Sequence, residues 1–295
     1  MRWPECVGED RREREEKALD NALLNYEDII SSSKRYEYIR RSLKRVFSRT
    51  VDVVTGQIAA GKFDVGFVEK EFYHESTIMK LYGKIDRVDV VKKNGKTYYR
   101  IIDYKTGSTS FDIEKVKAGL QLQLAIYTAE AAATLFEAGD TPAAAGMYYY
   151  RIDDPLIEVK PGSSGNDTDS EAEIIKKQKL DGLTVGDDEV LALTDSTLFN
   201  DDGSRIPGSS TVIGLGFNKD GSISKNSEKA VVTPEDFDLV NSIASKKAES
   251  LARDILAGDV SVNPYQHGQE NACKYCDYRS VCQFDRHLGD RFRKV

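Results

Sequence analysis

"GKIDRVDVVKKNGKTYYRIIDYKTG", residues 83 to 107, decides how this chain folds. Asn94-Gly95 at its centre is a strong hairpin signal, because both residue types tolerate the positive φ that a two-residue turn requires. Strand formers flank the turn on both sides. In that register Asp89 faces Arg100, Val88 faces Ile101 and Asp86 faces Asp103. The opposite charges of Asp89 and Arg100 support the pairing. Asp86 and Asp103 then lie with their Cβ atoms roughly 5 Å apart. Lys105 falls on the same face, diagonal to Asp86, because side chains along a strand alternate with period two.

Like charges placed opposite each other destabilise a sheet unless something neutralises them. Two such acids either share a proton or bind a hard cation. Lys105 makes the shared proton less necessary, and carboxylate oxygens with water suit Mg2+ or Mn2+. A metal held by two aspartates beside a lysine can polarise a phosphoryl oxygen, activate water and stabilise developing charge, which is the chemistry of phosphodiester hydrolysis. The alternative is a purely structural Asp–Lys–Asp network on an exposed sheet face. Downstream, "DIEKVKAGLQLQLAIYTAEAAATLFEAG" (112–139) reads as a long helix on which Gln123 and Tyr127 stand four residues apart and project together. They make either a packing contact or an amide and a phenol aimed at the acidic pair.

The rest of the chain frames this hairpin. Residues 11–60 read as helical: Ile39, Leu43, Val46, Phe47, Val51 and Val54 recur at helical spacing. Arg40, Arg41, Lys44, Arg45 and Arg49 mostly take the other side, as a solvated face or a phosphate-contacting one. "GQIAAGK" (56–62) mimics a phosphate-binding loop, but it follows a helical pattern and is followed by Phe63, so Gly61 reads as a helix C-cap. "AGMYYYRID" (145–153) reads as another strand. "TPEDFDLVNSIASKKAESLARDILAG" (233–258) reads as a helix with Thr233 as N-cap ahead of Pro234. The order of elements predicts an α/β fold with a mixed sheet. Four segments are expected: an N-terminal helical region (1–65), a core with hairpin and helix (66–160), a loop-rich insertion (161–231) and a C-terminal helix with a cysteine-rich segment (232–295).

The chain is 40% hydrophobic and 31% charged, a globular composition. It has no apolar run of about 18 residues for a transmembrane helix, and its first residues carry no apolar signal-peptide core. A cytoplasmic protein without membrane contact is expected. The net charge of −7 argues against a chain coated with basic residues for DNA, though not against a local basic groove. Cys273-x2-Cys276-x5-Cys282 places three thiols in a short segment, which points to a metal or a cluster. Either needs a fourth ligand. Cys6 is the only other cysteine, and His267 or His287 could instead complete a zinc site.

Three of these stretches, "GKIDRVD" (83–89), "IIDYKTG" (101–107) and "QLAIY" (123–127), resemble successive motifs of the PD-(D/E)XK nuclease superfamily in its RecB-like branch. The resemblance extends through "MYYYRIDDPLIEV", "DGLTVGDDEVLAL" and "NPYQHGQENACKYCDYRSVCQFD" to the nuclease domain of the bacterial helicase–exonuclease AddB family. It implies a restriction-endonuclease-like core with a mixed central sheet flanked by helices. It further implies that Asp86 and Asp103 are metal ligands, joined by the backbone carbonyl of Tyr104. Lys105 would orient or activate the attacking water, and Gln123 with Tyr127 would position the DNA. Cys273, Cys276 and Cys282 would share a [4Fe–4S] cluster with a cysteine upstream of the nuclease motifs, although the "WPEC" surroundings of Cys6 do not match the family's pattern. The family's N-terminal Gly-x-x-x-His motif is not found here, since no histidine precedes His74. Its helicase-like portion is not found either, so a truncated part of a longer polypeptide is expected.

The sequence therefore leads to a Mg2+-dependent DNA exonuclease domain acting in double-strand break repair. Its expected partners are a single strand from a processed duplex end and the A-type helicase–nuclease subunit of the same complex. A catalytically inactive DNA-binding or scaffolding remnant, and an iron–sulfur or zinc interaction module, are the alternatives.

Overall fold

Asn94 and Gly95 have φ of 51° and 75°, the pair of left-handed conformations that a type I′ turn requires. In the computed structural model, which describes residues 9–153 and 173–295 other than 176, this turn joins β2 (Lys80–Lys93) to β3 (Lys96–Lys105). The ladder pairs Asp89 with Arg100 and Val88 with Ile101, the register expected from the sequence. β1 (Asp64–Glu75) pairs antiparallel with β2, and β4 (Pro142–Arg151) runs parallel to β3. β5 (Asp181–Val185) is antiparallel to β4, β6 (Gly208–Ser209) and β7 (Gly216–Phe217) form a separate short ladder, and β8 (Val231–Val232) is parallel to β5. The other six strands form one mixed sheet of order β1-β2-β3-β4-β5-β8.

Helices cover both faces. In chain order α1 (Glu9–Leu23) and α2 (Glu27–Ile30) pack on α3 (Lys34–Ala60), which is followed by α4 (Ile113–Ala118), α5 (Gln123–Glu137), α6 (Asp188–Thr194) and α7 (Pro234–Leu256). On one face Ile101, Met147 and Tyr149 pack with Leu124, Ala131 and Leu135 of α5 and with Phe237 and Val240 of α7. On the other, Ile102, Tyr148 and Tyr150 pack with Val53, Val54 and Ile58 of α3. Burial on both faces explains why β4 reads as an unbroken apolar and aromatic run, and why β3 is apolar or aromatic on both faces around Arg100, rather than alternating. Thr233 caps α7 by accepting from the Asp236 amide, with Pro234 at the first helical position.

Two expectations change in detail. In α3 only the C-terminal half of the apolar stripe is buried: Val53, Val54 and Ile58 enter the core, whereas Ile39 and Leu43 are 39% and 43% exposed. Gly61 does end α3, but in an extended conformation (φ −108°) rather than the left-handed one. Its lack of a side chain serves close packing, since a Cβ there would lie 2.5 Å from the Thr194 carbonyl oxygen. The 161–231 stretch supplies β5 to the central sheet and leads into β8. Leu183, Val212, Ile213 and Leu215 from this stretch are all buried. Residues 154–172 lie outside the described residues. The C-terminal segment forms a small sheet of β9 (Tyr265–His267), β10 (Glu270–Asn271) and β11 (Arg293–Lys294). Among the described residues, no helix is long and apolar enough to cross a membrane.

Candidate active site

β3 carries its apolar run as far as Ile102 and then places Asp103, only 2% exposed, at the edge of the core. Lys105, two residues on, returns to the same face. Its Nζ lies 2.6 Å from Asp103 Oδ2 and donates to Gln123 Oε1 at 2.8 Å. Gln123 stands at the start of α5, which packs against β3 and β4 and so aims its first turn at the strand ends. Its amide nitrogen donates to Asp103 Oδ1 and to the Tyr127 hydroxyl, each at 2.9 Å. One side chain thereby ties the acid, the lysine and the phenol together. The Tyr127 ring meets Phe72 edge-on with centroids 5.8 Å apart. Gly83 leaves room for this contact, because a Cβ there would fall 2.8 Å from the Phe72 ring.

Asp86 joins the group differently from the expected face-to-face pairing. The β2–β3 ladder ends at Arg87–Ile102. Beyond that point the Asp86 carboxylate itself takes the Tyr104 amide, with Oδ2 accepting at 2.8 Å. The backbone donor that a further ladder pair could have used is thus satisfied by an acid, and the carboxylate is anchored. The two acids remain within electrostatic reach. Burial pushes the Asp103 carboxyl above its ordinary range, the Lys105 hydrogen bond and charge pull it back, and Asp86 adds to the rise.

Under the site lies a buried charge network that the sequence reading caught only in part. Asp89 receives Arg87 through Nε at 2.6 Å and Nη2 at 2.7 Å, and Arg100 through Nε at 2.9 Å. Arg87 also donates Nη1 to the Tyr104 hydroxyl at 3.2 Å. The Arg100 guanidinium lies 4.7 Å from the centre of the Phe63 ring. Asp89 and Arg100 were legible as a cross-strand pair. Arg87 was missed, although its i, i+2 spacing from Asp89 places both on one face and was the available signal.

The oxygen donors suit a hard divalent cation. Asp103 Oδ2 is buried with no partner of hydrogen-bond geometry, only the Lys105 ion pair, so it retains capacity to ligate. Asp86, Asp103 and the Tyr104 carbonyl are the groups that could hold such an ion. No third acid or histidine joins them: among the described residues, no three His, Cys, Asp or Glu side chains are grouped to hold a metal. His74 is exposed on β1, and Glu69 is engaged by Lys84.

The same holds for the cysteines. Cys273, Cys276 and Cys282 are free thiols, close enough that Cys282 and Cys276 add to the rise that burial gives the Cys273 thiol. They are not drawn together as a ligand set, and Cys6 lies outside the described residues. His267 is turned elsewhere, with Nε2 at 2.9 Å from Asp112 Oδ2 and Nδ1 at 2.9 Å from the Val295 carbonyl oxygen. His287 is exposed. The described residues do not fit a [4Fe–4S] cluster or a four-ligand zinc site as they stand.

The family model described as the PD-(D/E)XK nuclease superfamily matches residues 4–283. The chain is 35% identical over 280 residues to the B subunit of the ATP-dependent helicase/deoxyribonuclease of Caldanaerobacter subterraneus, covering 90% of the chain and 23% of the relative. It is 38% identical over 288 residues to the protein of that name from Thermoanaerobacter sp., covering 93% of the chain and 24% of the relative. The Clostridium perfringens protein is 32% identical over 314 residues, covering all of the chain and 26% of the relative. The chain thus spans about a quarter of the length of these relatives.

Proposed function

Because the chain belongs to the PD-(D/E)XK nuclease superfamily, we propose that it hydrolyses phosphodiester bonds of DNA at the Asp86–Asp103–Lys105 site. The observation that carries this reading is the Gln123 amide, which holds Asp103, Lys105 and Tyr127 in one connected array beside Asp86.

Asp86 and Asp103 side-chain oxygens, with the Tyr104 carbonyl, would hold Mg2+ or Mn2+. When bound, that ion polarises a phosphoryl oxygen and lowers the pKa of water. Lys105 is kept in place by Asp103 and Gln123, and its ammonium faces the charge that develops on the phosphoryl oxygens. Gln123, itself held by the Tyr127 hydroxyl, fixes that ammonium, and Gln123 and Tyr127 would offer polar contacts to the DNA strand. Water adds to phosphorus, one phosphorus–oxygen ester bond breaks, and the leaving oxygen takes a proton to become a hydroxyl. The products are a phosphate monoester and a free hydroxyl.

The relatives' names, which describe one part of an ATP-dependent helicase/deoxyribonuclease, extend the proposal. The site would act as an exonuclease on a single strand fed to it by the motor of a larger helicase–nuclease during DNA repair. A second polypeptide of the same complex would be its partner. A second reading, a DNA-binding remnant without chemistry, is favoured by the lack of a third acid or histidine at the site among the described residues.

Cleavage of end-labelled single-stranded DNA with Mg2+ or Mn2+ tests both. Asp103→Ala and Lys105→Ala are each expected to lose at least about 10²–10³-fold in rate. Undiminished cleavage in both variants would rule out this site. DNA binding with no metal-dependent cleavage by the wild type would establish the second reading.

A further inference from the structure

Beside the catalytic array lies a polar cavity of about 440 Å³, within the size range of small-ligand clefts. Lys105, Gln123 and Tyr149 line it from the array, so it is continuous with the site of bond cleavage. Lys115 of α4 lines it too, together with Tyr265 and Glu270 of the C-terminal segment. Three consecutive hydroxyl side chains, Ser108, Thr109 and Ser110, complete the lining that matters here.

The cavity is built before any ligand arrives. Gln121 ties the loop by donating to the Ser110 carbonyl at 2.8 Å and accepting from the Asp112 amide at 2.9 Å. The Phe111 amide donates to Asp181 of β5 at 2.8 Å. Across the cavity, Asp112 holds His267 at 2.9 Å and Lys115 holds Glu270 at 2.7 Å. The Asp112–His267 contact brings β9 against the start of α4.

We propose that this cavity is the subsite for the nucleotide adjoining the bond that is cut, with its phosphate taken by Lys115 in place of Glu270. The inference rests on the nuclease reading of the Asp103 site. Two ammonium groups and a run of hydroxyls are the donor set that phosphate and sugar oxygens require. Tyr265 gives a ring against which a sugar or base packs, a contact that accepts any sequence. Among the described residues Glu270 is the one carboxylate lining the cavity, and its side chain is 63% exposed. The carboxylate end of the pair is open to water, which screens the attraction, so a phosphate displaces Glu270 from Lys115 at small cost.

The test measures the Kd of a fluorescein-labelled oligothymidylate by anisotropy in EDTA, where no cleavage occurs, and KM and kcat for the unlabelled chain with Mg2+. Lys115→Ala is expected to weaken binding about tenfold and to act mainly on KM. Lys115→Arg restores binding, and Glu270→Gln tightens it several-fold. Lys117→Ala is the control for net charge: Lys117 lies on the same helix, in an exposed pair with Glu114 at 2.8 Å, and this change is expected to leave Kd within twofold. The proposal is overturned if Lys115→Ala and Glu270→Gln both leave Kd unchanged. It is also overturned if Lys117→Ala matches Lys115→Ala, or if the wild type shows no binding. Opposite shifts in Kd without Asp103-dependent cleavage would sustain the subsite and sink only the nuclease reading.

Discussion

Asp103 carries the most consequential charge of the site. Burial raises its pKa while Lys105 opposes the rise, so the folded protein binds its proton more tightly than the unfolded chain does. The contribution to stability is therefore present at low pH. It declines as pH rises from the ordinary aspartate value, about 3.9, through the raised folded value. In the metal-free protein the Asp103 carboxyl should titrate above an ordinary aspartate, as read from its carboxyl carbon shift by NMR against pH. Asp103→Asn should abolish cleavage yet raise, not lower, the thermal unfolding midpoint at neutral pH. A lower midpoint would mean that the Lys105 ion pair outweighs the burial. The neighbouring network behaves oppositely. Asp89 is fully buried between Arg87 and Arg100, and Asp89→Ala would leave two guanidinium groups without their counter-charge. A loss of about 3–5 kcal/mol in urea unfolding is expected.

At the scale of elements, α3 shows how glycine can act in two ways within one helix and its cap. Gly61 lies against the backbone of Thr194 and Leu193, and its added Cβ would meet carbonyl oxygens at 2.5 and 2.7 Å. Backbone atoms cannot swing aside, so Gly61→Ala should cost about 1–3 kcal/mol. Gly56, inside the helix, has nothing within 4 Å of its added Cβ. Gly56→Ala should stabilise by up to about 1 kcal/mol, because alanine loses less backbone freedom in a helix. Chemical denaturation of the two variants checks both signs. The hairpin obeys similar rules. Its turn sets the register, while the end of the ladder at Arg87–Ile102 frees the Tyr104 amide for Asp86.

For the whole molecule, a net charge of −7 sets the expectation for DNA binding. The overall charge gives no net attraction to DNA, so affinity is expected to come from local phosphate contacts. With Lys105 and Lys115 as those contacts, the slope of log K against log salt for single-stranded DNA should be about −1.4, or about −0.7 for each phosphate neutralised. Anisotropy titrations across a salt series measure it. A slope several times steeper would place a further basic surface elsewhere on the chain.

Much of what depends on local periods was legible in the order of the residues, although the helix expected over 112–139 breaks at Gly119 into α4 and α5. Asn94-Gly95 set the turn, the alternation of β2 and β3 put Asp89 opposite Arg100, and helical spacing put Gln123 and Tyr127 on one face. The three motifs named the superfamily. Tertiary structure alone decided what joins residues far apart in the chain. Lys105 meets Gln123, Arg87 reaches Tyr104, and Lys115 meets Glu270 from 155 positions away. It also decided that Asp86 holds the Tyr104 amide rather than standing in a ladder pair with Asp103, and that Asp103 is buried enough for its pKa to rise. The physical reason is one of range. Turn chemistry and side-chain period are fixed by neighbouring residues, so they can be read in order along the chain. Burial and ion pairing depend on which helices cover each face of the sheet, and that is set only when both cores close.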